Sequence, residues 1–362
     1  MRITTLAGLS LSFSLIALLQ SCDRLFSAST SLSDRSPAPP CQPSFVQTIW
    51  TANVDINGAE GSVESAEFSP DGQFIATTSR DGRVRLWRIS DASLVWESVY
   101  WGGSLANKQG EVEAASFSID GSMVAVAGDS AGIKLYQTDN GHLIRAIDAG
   151  EADAIAFTPD GKYLAGADNQ KLLVYTAKPW ALHYRDRIAH RKGINSIAFT
   201  PDNQFVLTAA LDHRVKISRL EDGSLVREIK PANSSIKSVR VSPNGKVFAT
   251  ANFKGNSVKV FQVSDGQLVK TLEYDHPMEA VVFSPNGQLL VTGGGGGAKR
   301  ISDSSKSIQF YEAPTFNPLC EIAAHRQGIE YIDFSTDGKH LVTASEDGTI
   351  KLWKIQTSAI PN

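Results

Sequence analysis

The strongest constraint on this chain is a plan repeated seven times along its length. Each copy has an apolar stretch ending in Phe or Val, a Ser/Thr-x-Asp/Asn-Gly/Asn turn, a second apolar stretch, a tight turn, and a third stretch that ends on an aromatic residue in six copies of seven. The first stretches end at Phe68, Phe117, Phe157, Phe199, Val241, Phe283 and Phe334, with successive gaps of 49, 40, 42, 42, 42 and 51 residues. The third stretches end at Trp87, Tyr136, Tyr175, Ser218, Phe261, Tyr311 and Trp353. Proline in most of the turns presets φ, and Asp/Asn with Gly supplies a positive φ, so each turn predicts a hairpin on physical grounds. One such unit cannot bury its own apolar faces. A series of them predicts an array of repeated all-β units.

The repeats resemble the WD40 family over residues 45 to 356, and His340 to Ile355 (HLVTASEDGTIKLWKI) is the fullest match. The resemblance implies a seven-bladed β-propeller. It also implies a blade-locking set of four residues: a His before the first strand, a Ser/Thr on the second, an Asp in the following turn and the Trp. The last repeat has all four, in His325, Thr343, Asp347 and Trp353. The first has Thr77, Asp81 and Trp87, and the fourth has His190, Thr208 and Asp212 with Ser218 in the Trp place. Repeats two, three, five and six lack most of the set and are expected to rely on packing. Both histidines are read as structural, and no catalytic residue is assigned.

Ring closure is also written in the sequence. Only nine residues follow Trp353, too few for a fourth strand and a return. Phe45 to Trp50 alternates like the outer segments Leu225–Ile229 and Leu268–Leu272, so the N-terminal strand is expected to complete the last blade.

The N-terminus reads as an export signal: Met1-Arg2, then an uncharged segment from Ile3 to Leu19. Leu19-Gln20-Ser21-Cys22 resembles a bacterial lipobox, which implies that residues 1–21 are removed and Cys22 is acylated. Residues 22–44, rich in Ser and Pro, read as a flexible tether. The expected order is then signal 1–21, tether 22–44, propeller 45–356 and tail 357–362. It would hold the propeller by lipid on the outer side of a bacterial membrane, with the tether beside the seventh blade. Cys41 and Cys320 are then the remaining thiols; they are a possible disulfide in an exported chain or two unrelated cysteines.

One pattern in the repeats carries a functional signal. Each first strand begins apolar-x-small-apolar, and x is Glu64, Glu113, Asp153, Asn195, Lys237, Glu279 and Glu330. Five of the seven are acidic, against 38 Asp and Glu among all 362 residues. In WD40 propellers this position resembles the rim of the narrow top face, a frequent partner-contact site. Arg80, Leu211, Lys254 and Glu346, just before the tight turns, sit nearby. The expected function is a protein-binding platform whose partners present a basic surface. A solvated acidic rim and a divalent cation in the mouth stay open as other readings. So does a lactonase-like enzyme or small-ligand binder, with the same carboxylates around the channel.

Other chemistry is not signalled. The five glycines Gly293 to Gly297, followed by Ala298-Lys299-Arg300, lack a P-loop ending and are expected to form an enlarged turn in blade six. There is no HExxH, CxxC, GxSxG or EF-hand spacing, so no metal site and no cofactor are assigned. The formal charge of −3 and the lack of like-charge blocks give no reason to expect nucleic acid.

Overall fold

The computed structural model describes residues 38–54, 61–100, 111–129, 132–186, 190–295 and 306–356. These form seven four-stranded antiparallel sheets, the blades of a propeller. In blade one the strands, from the channel outward, are Val63–Phe68, Phe74–Ser79, Arg83–Arg88 and Leu94–Val99. Blade seven is assembled from both ends of the chain. Ile329–Phe334, His340–Ser345 and Thr349–Ile355 come from the C-terminal side, and Val46–Asn53 supplies the outer strand. It runs antiparallel to Thr349–Ile355, from Val46 opposite Ile355 to Asn53 opposite Thr349.

Burial explains the strand compositions. Second strands such as Met123–Gly128 lie between neighbouring blades, so they are buried on both faces and nearly continuously apolar. Outer strands meet solvent on one side, and Leu225–Ile229 alternates accordingly. The core is a set of wedges between blades. One brings Ala76, Val84 and Leu86 of blade one against Phe117, Val124 and Tyr136 of blade two.

The repeated turns close in the same way each time. In the first, the Ser69 hydroxyl donates to Asp71 Oδ1 at 2.6 Å, and the backbone N–H groups of Gln73 and Phe74 donate to Asp71 Oδ1 and Ser69 Oγ. The corresponding pairs Ser118–Asp120, Thr158–Asp160, Thr200–Asp202, Ser242–Asn244, Ser284–Asn286 and Ser335–Asp337 follow at 2.6–2.8 Å. Gly72 takes φ +68° there, and Asn203 takes φ +57° where the fourth repeat lacks the glycine.

Neighbouring blades are also stitched at their outer strands. Side chains there donate to a backbone carbonyl of the next blade: Trp50 to Ile89 at 2.8 Å, Trp96 to Thr138 at 2.7 Å, His183 to Glu221 and Arg227 to Ser264, each at 2.9 Å.

In blade seven the four locking residues form one chain. Trp353 Nε1 donates to the Thr343 hydroxyl at 3.0 Å, and that hydroxyl lies 2.7 Å from His325 Nε2. The other ring nitrogen faces the Asp347 carboxylate at 3.3 Å. With Nδ1–H donated to Asp347, the Thr343 hydroxyl donates to Nε2 and the imidazole stays neutral. Burial, opposed by Asp347, lowers the His325 pKa; hydrogen bonds from His325 and Arg326 hold Asp347 below the usual carboxylate range despite its own burial. His190, Thr208 and Asp212 repeat the arrangement in blade four.

Blade six corrects the expectation that it relies on packing. Tyr274 stands eighteen residues before Thr292, as His325 stands before Thr343. Its hydroxyl donates to the Tyr311 hydroxyl at 2.9 Å, so the Thr292 hydroxyl, also 2.9 Å away, donates to it. Tyr311 donates on to Gln309 at 2.7 Å. Blade six thus has a side-chain chain of its own, centred on the Tyr274 hydroxyl rather than on the threonine.

The start of the described chain differs from the expected tether. Cys41 is disulfide-bonded to Cys320, in the outer strand Pro318–Ala323 of blade six. Glu321 of that strand donates its N–H to Pro39 O and accepts from Cys41 N–H, both at 2.9 Å. Bonded structure therefore begins before residue 45, and the chain enters beside blade six rather than blade seven.

The Thr343 hydroxyl serves two buried partners, whereas among the described residues Thr77 in blade one bonds Trp87 Nε1 alone, at 2.9 Å. Thr343→Val is expected to cost about 1–3 kcal/mol, and Thr77→Val less. Urea unfolding monitored by tryptophan fluorescence checks the order.

Candidate functional site

The inner strands share a local irregularity that decides where the candidate residues point. In blade one Val63 pairs with Ser79 and Ser65 with Thr78, which leaves Glu64 as the extra residue of a β-bulge. The same skip falls at Glu113, Asn195, Lys237, Glu279 and Glu330. A bulge re-aims its extra side chain, and here the side chains turn into the central channel. Asp153, just ahead of the shorter strand Ile155–Phe157, reaches the same place.

All seven positions line one chamber of about 350 Å³, together with Arg80 and Leu211. Lys254 and Glu346 do not line it: Lys254 is exposed in its turn and Glu346 is half-buried. Arg80 Nε lies 2.7 Å from Glu64 and 3.3 Å from Glu111. Lys237 Nζ lies 3.5 Å from Glu279, and Asn195 Nδ2 donates to Ile236 O of the next blade at 2.8 Å. The ring is therefore set into the mouth of the channel, and Glu279 is only 4% exposed.

A second ring lies three residues further along the inner strands, and the sequence reading missed it. Glu67, Ser116 and Asp333 accept the backbone N–H of Phe117, Phe157 and Phe68 on the next blade, at 3.1, 3.2 and 3.0 Å. Arg240, at the same level, donates to Ser196 Oγ at 3.2 Å and Val239 O at 3.0 Å. Its guanidinium lies 5.3 Å from the centre of the Tyr331 ring. Arg240 and Tyr331 line both the upper chamber and a lower one of about 450 Å³, so this pair stands at the boundary between them. The available signal was a polar residue before the terminal Phe or Val of the first strand: Glu67, Ser116, Arg240 and Asp333.

Burial and crowding raise the pKa values of the channel carboxyls. Burial, then Glu64 and Asp153, push Glu113 up to about 9. Burial pushes Glu279 up to about 7 against the pull of Lys237, and Asp153 up to about 6. Glu330 is raised well above its ordinary value by burial and by Glu279. On the lower level burial and Asp333 raise Glu67 to about 8. Lys237 stays charged because Glu279 and Glu330 outweigh its burial.

Other expected positions resolve differently. Gly293 and Gly294 belong to the strand Leu289–Gly294 rather than to an enlarged turn. A Cβ on Gly294 would come within 2.2 Å of Pro277 O, which accounts for glycine there. Gly296 to Arg300 lie outside the described residues, as does Cys22. Among the described residues no three His, Cys, Asp or Glu stand together as a metal-ligand group.

A closed ring of seven four-stranded blades with threonine-centred locks defines a WD40-type propeller. The family model described as WD domain, G-beta repeat, matches residues 50–88, 184–217, 223–262, 266–299 and 316–354, just over half of the chain, so the chain belongs to the WD40-repeat family. Most of blades two and three falls between the matched segments, and both keep the four-stranded form. Among similar proteins, telomerase protein component 1 of Mus musculus is 28% identical over 209 residues, 57% of this chain and 7% of that protein. A WD repeat-containing protein of Synechocystis is 30% identical over 146 residues, 39% of this chain and 40% of that protein. The target of rapamycin complex subunit wat1 of Schizosaccharomyces pombe is 24% identical over 211 residues, 57% of this chain and 65% of that protein. The matched region spans less than two thirds of each relative.

The raised carboxyl pKa values set a pH dependence. A folded state that holds protons the unfolded state has released loses stability as pH rises through the folded pKa values. For Glu113 and Glu67 that loss continues to about pH 9 and about pH 8. Unfolding free energy is therefore expected to fall between about pH 7 and about pH 9, and less steeply in Glu113→Gln. Urea titrations across that range measure both slopes.

Proposed function

We propose that this propeller is a membrane-tethered scaffold that binds partner proteins on the face of the channel mouth. The convergence of seven repeat-equivalent positions on one mouth carries the reading. A closed ring holds its turns rigidly, and residues from several blades meet a partner together. Around the mouth Lys254 and Glu151 are exposed, and Leu211 and Glu346 are half-buried, within reach of a docking surface. The excess of carboxyls favours partners with a basic surface. The names of the mouse and fission-yeast relatives place those proteins in multicomponent assemblies, in keeping with a scaffold.

The tether rests on the N-terminal segment and Cys22. The Cys41–Cys320 disulfide is of a kind found in proteins exported to oxidising compartments. We place the propeller in a bacterial envelope, on the extracytoplasmic side.

The test is a crosslinking pull-down from native membranes, wild type against a Leu211→Asp/Lys254→Glu/Glu346→Lys variant. Loss of the same partners in the variant is the expected result, and an unchanged partner list would overturn docking on this face. Separately, Cys22→Ala is expected to move the protein from the membrane to the soluble fraction. A protein still in the membrane fraction would rule out acylation as the anchor.

A further inference from the structure

Among the described residues, one β-bridge lies outside the seven sheets: Pro40 runs parallel to Glu321 on the outer strand of blade six. Glu321 donates its N–H to Pro39 O and accepts from Cys41 N–H, and the Cys41–Cys320 disulfide fastens the same contact covalently. The backbone of Pro40 faces the other way, and as a proline it offers no N–H to a further strand. Residues 39–45 thus form a strap along the edge of blade six. Gln42 O accepts from the N–H groups of Phe45 and Val46, and this turn delivers the chain into the closing strand Val46–Asn53 of blade seven.

The closing strand is held unevenly. Val46, Gln47 and Thr48 pair with Ile355, Lys354 and Trp353; Ile49 is skipped, and pairing resumes at Trp50 with Leu352. Beyond that bulge the strand is anchored on several sides. Trp50 Nε1 donates to Ile89 O, Ala52 and Val54 are buried, and Val54 N–H donates to Gly348 O at 2.9 Å. Before the bulge, Gln47, Thr48 and Ile49 are exposed. That end is held by its three paired residues, by Phe45 and Val46 packed with Phe310, Cys320 and Trp353, by the bond from Gln356 N–H to Phe45 O, and by the strap. The strap's two backbone hydrogen bonds, at a sheet edge, are each a modest hold. The bond between the cysteines is the strong one.

We propose that the Cys41–Cys320 bond is a redox latch on ring closure. Formed, it clamps the strap to blade six and keeps the seam between blades six and seven shut. Reduced, it releases the strap and lets the closing strand open from its Val46 end as far as the bulge at Ile49. Phe45 then leaves the Phe310 ring, and the edge at Glu321 is uncovered.

The reductant is a dithiol. Its thiolate attacks Cys41, which is half-buried while Cys320 is buried, and forms a mixed disulfide; Cys320 leaves as a thiolate and takes up a proton. The second thiol of the reductant then displaces Cys41, so the dithiol ends as a disulfide and both cysteines as thiols. The latch rests on the bonds of the fold and not on the docking or membrane readings.

The experiment is hydrogen exchange on the full chain, oxidised against dithiothreitol-reduced, without denaturant, read at single amides by mass spectrometry. Exchange at Cys41, Glu321 and Gln356 is expected to quicken at least about tenfold on reduction. Val54, and Phe117 in blade two, are expected to keep their rates. Cys41→Ser/Cys320→Ser is expected to match the reduced protein with no reductant added. Unchanged protection at Glu321 and Gln356 after reduction, or in the double variant, would overturn the proposal. So would free thiols at Cys41 and Cys320 in the isolated chain, or a bond that dithiothreitol cannot reduce in the folded protein. An equal rise at Val54 and Phe117 would also overturn it, because the bond would then stabilise the whole ring rather than latch one seam. If the double variant fails to fold, the reduced wild type still decides.

Discussion

Closure of the ring by its own N-terminal strand is the constraint on which the rest depends. Every other blade is made from consecutive strands, but blade seven exists only when Val46–Asn53 pairs with Thr349–Ile355. Val54 N–H to Gly348 O and Gln356 N–H to Phe45 O extend that seam past both ends of the register. Phe45 then packs edge-on against Phe310 of blade six, with ring centres 5.3 Å apart. Neighbouring blades hold one another through wedges of side chains, so a missing outer strand in blade seven would loosen two wedges at once. The disulfide to Cys320 carries the same entering segment onto blade six, and the first described residues bind two blades.

The ring in turn creates the channel and its chemistry. Seven inner strands standing together must dispose of the residues that point at the axis. An apolar set would make a plug; this chain supplies carboxyls, two cations and an amide on the upper level. The lower level spends most of its polarity on fastening blade to blade, through carboxylates and a serine that receive the next blade's N–H groups. The upper level is less fully paired, and burial without pairing raises its carboxyl pKa values. A rigid ring can carry that strain because closure and the locks in blades four, six and seven hold it together elsewhere.

Much of the architecture was legible because it is local. The Ser69–Asp71 turn, repeated in all seven copies, needs only a hydroxyl, a carboxylate or amide, and a residue tolerant of positive φ at fixed spacing. The lock in blade seven was legible for the same reason. The chain in blade six was not: it runs through the hydroxyls of Tyr274 and Tyr311, and in a sequence a tyrosine looks like any other core aromatic. The candidate ring was found as a column of acidic residues. Its depth was hidden because a β-bulge is a property of pairing, and pairing is absent from the linear chain.

The sequence by itself determined the number of blades, the turns and the strand that closes the ring, because spacing, φ preference and alternation act over a few residues. Only the tertiary structure decided that Cys41 meets Cys320 across a separation of 279 residues. It also decided that Arg240 meets Tyr331 on the channel axis, and that glutamates from four blades share one chamber. Those meetings depend on the curvature of the closed ring, which brings together residues that no local rule connects.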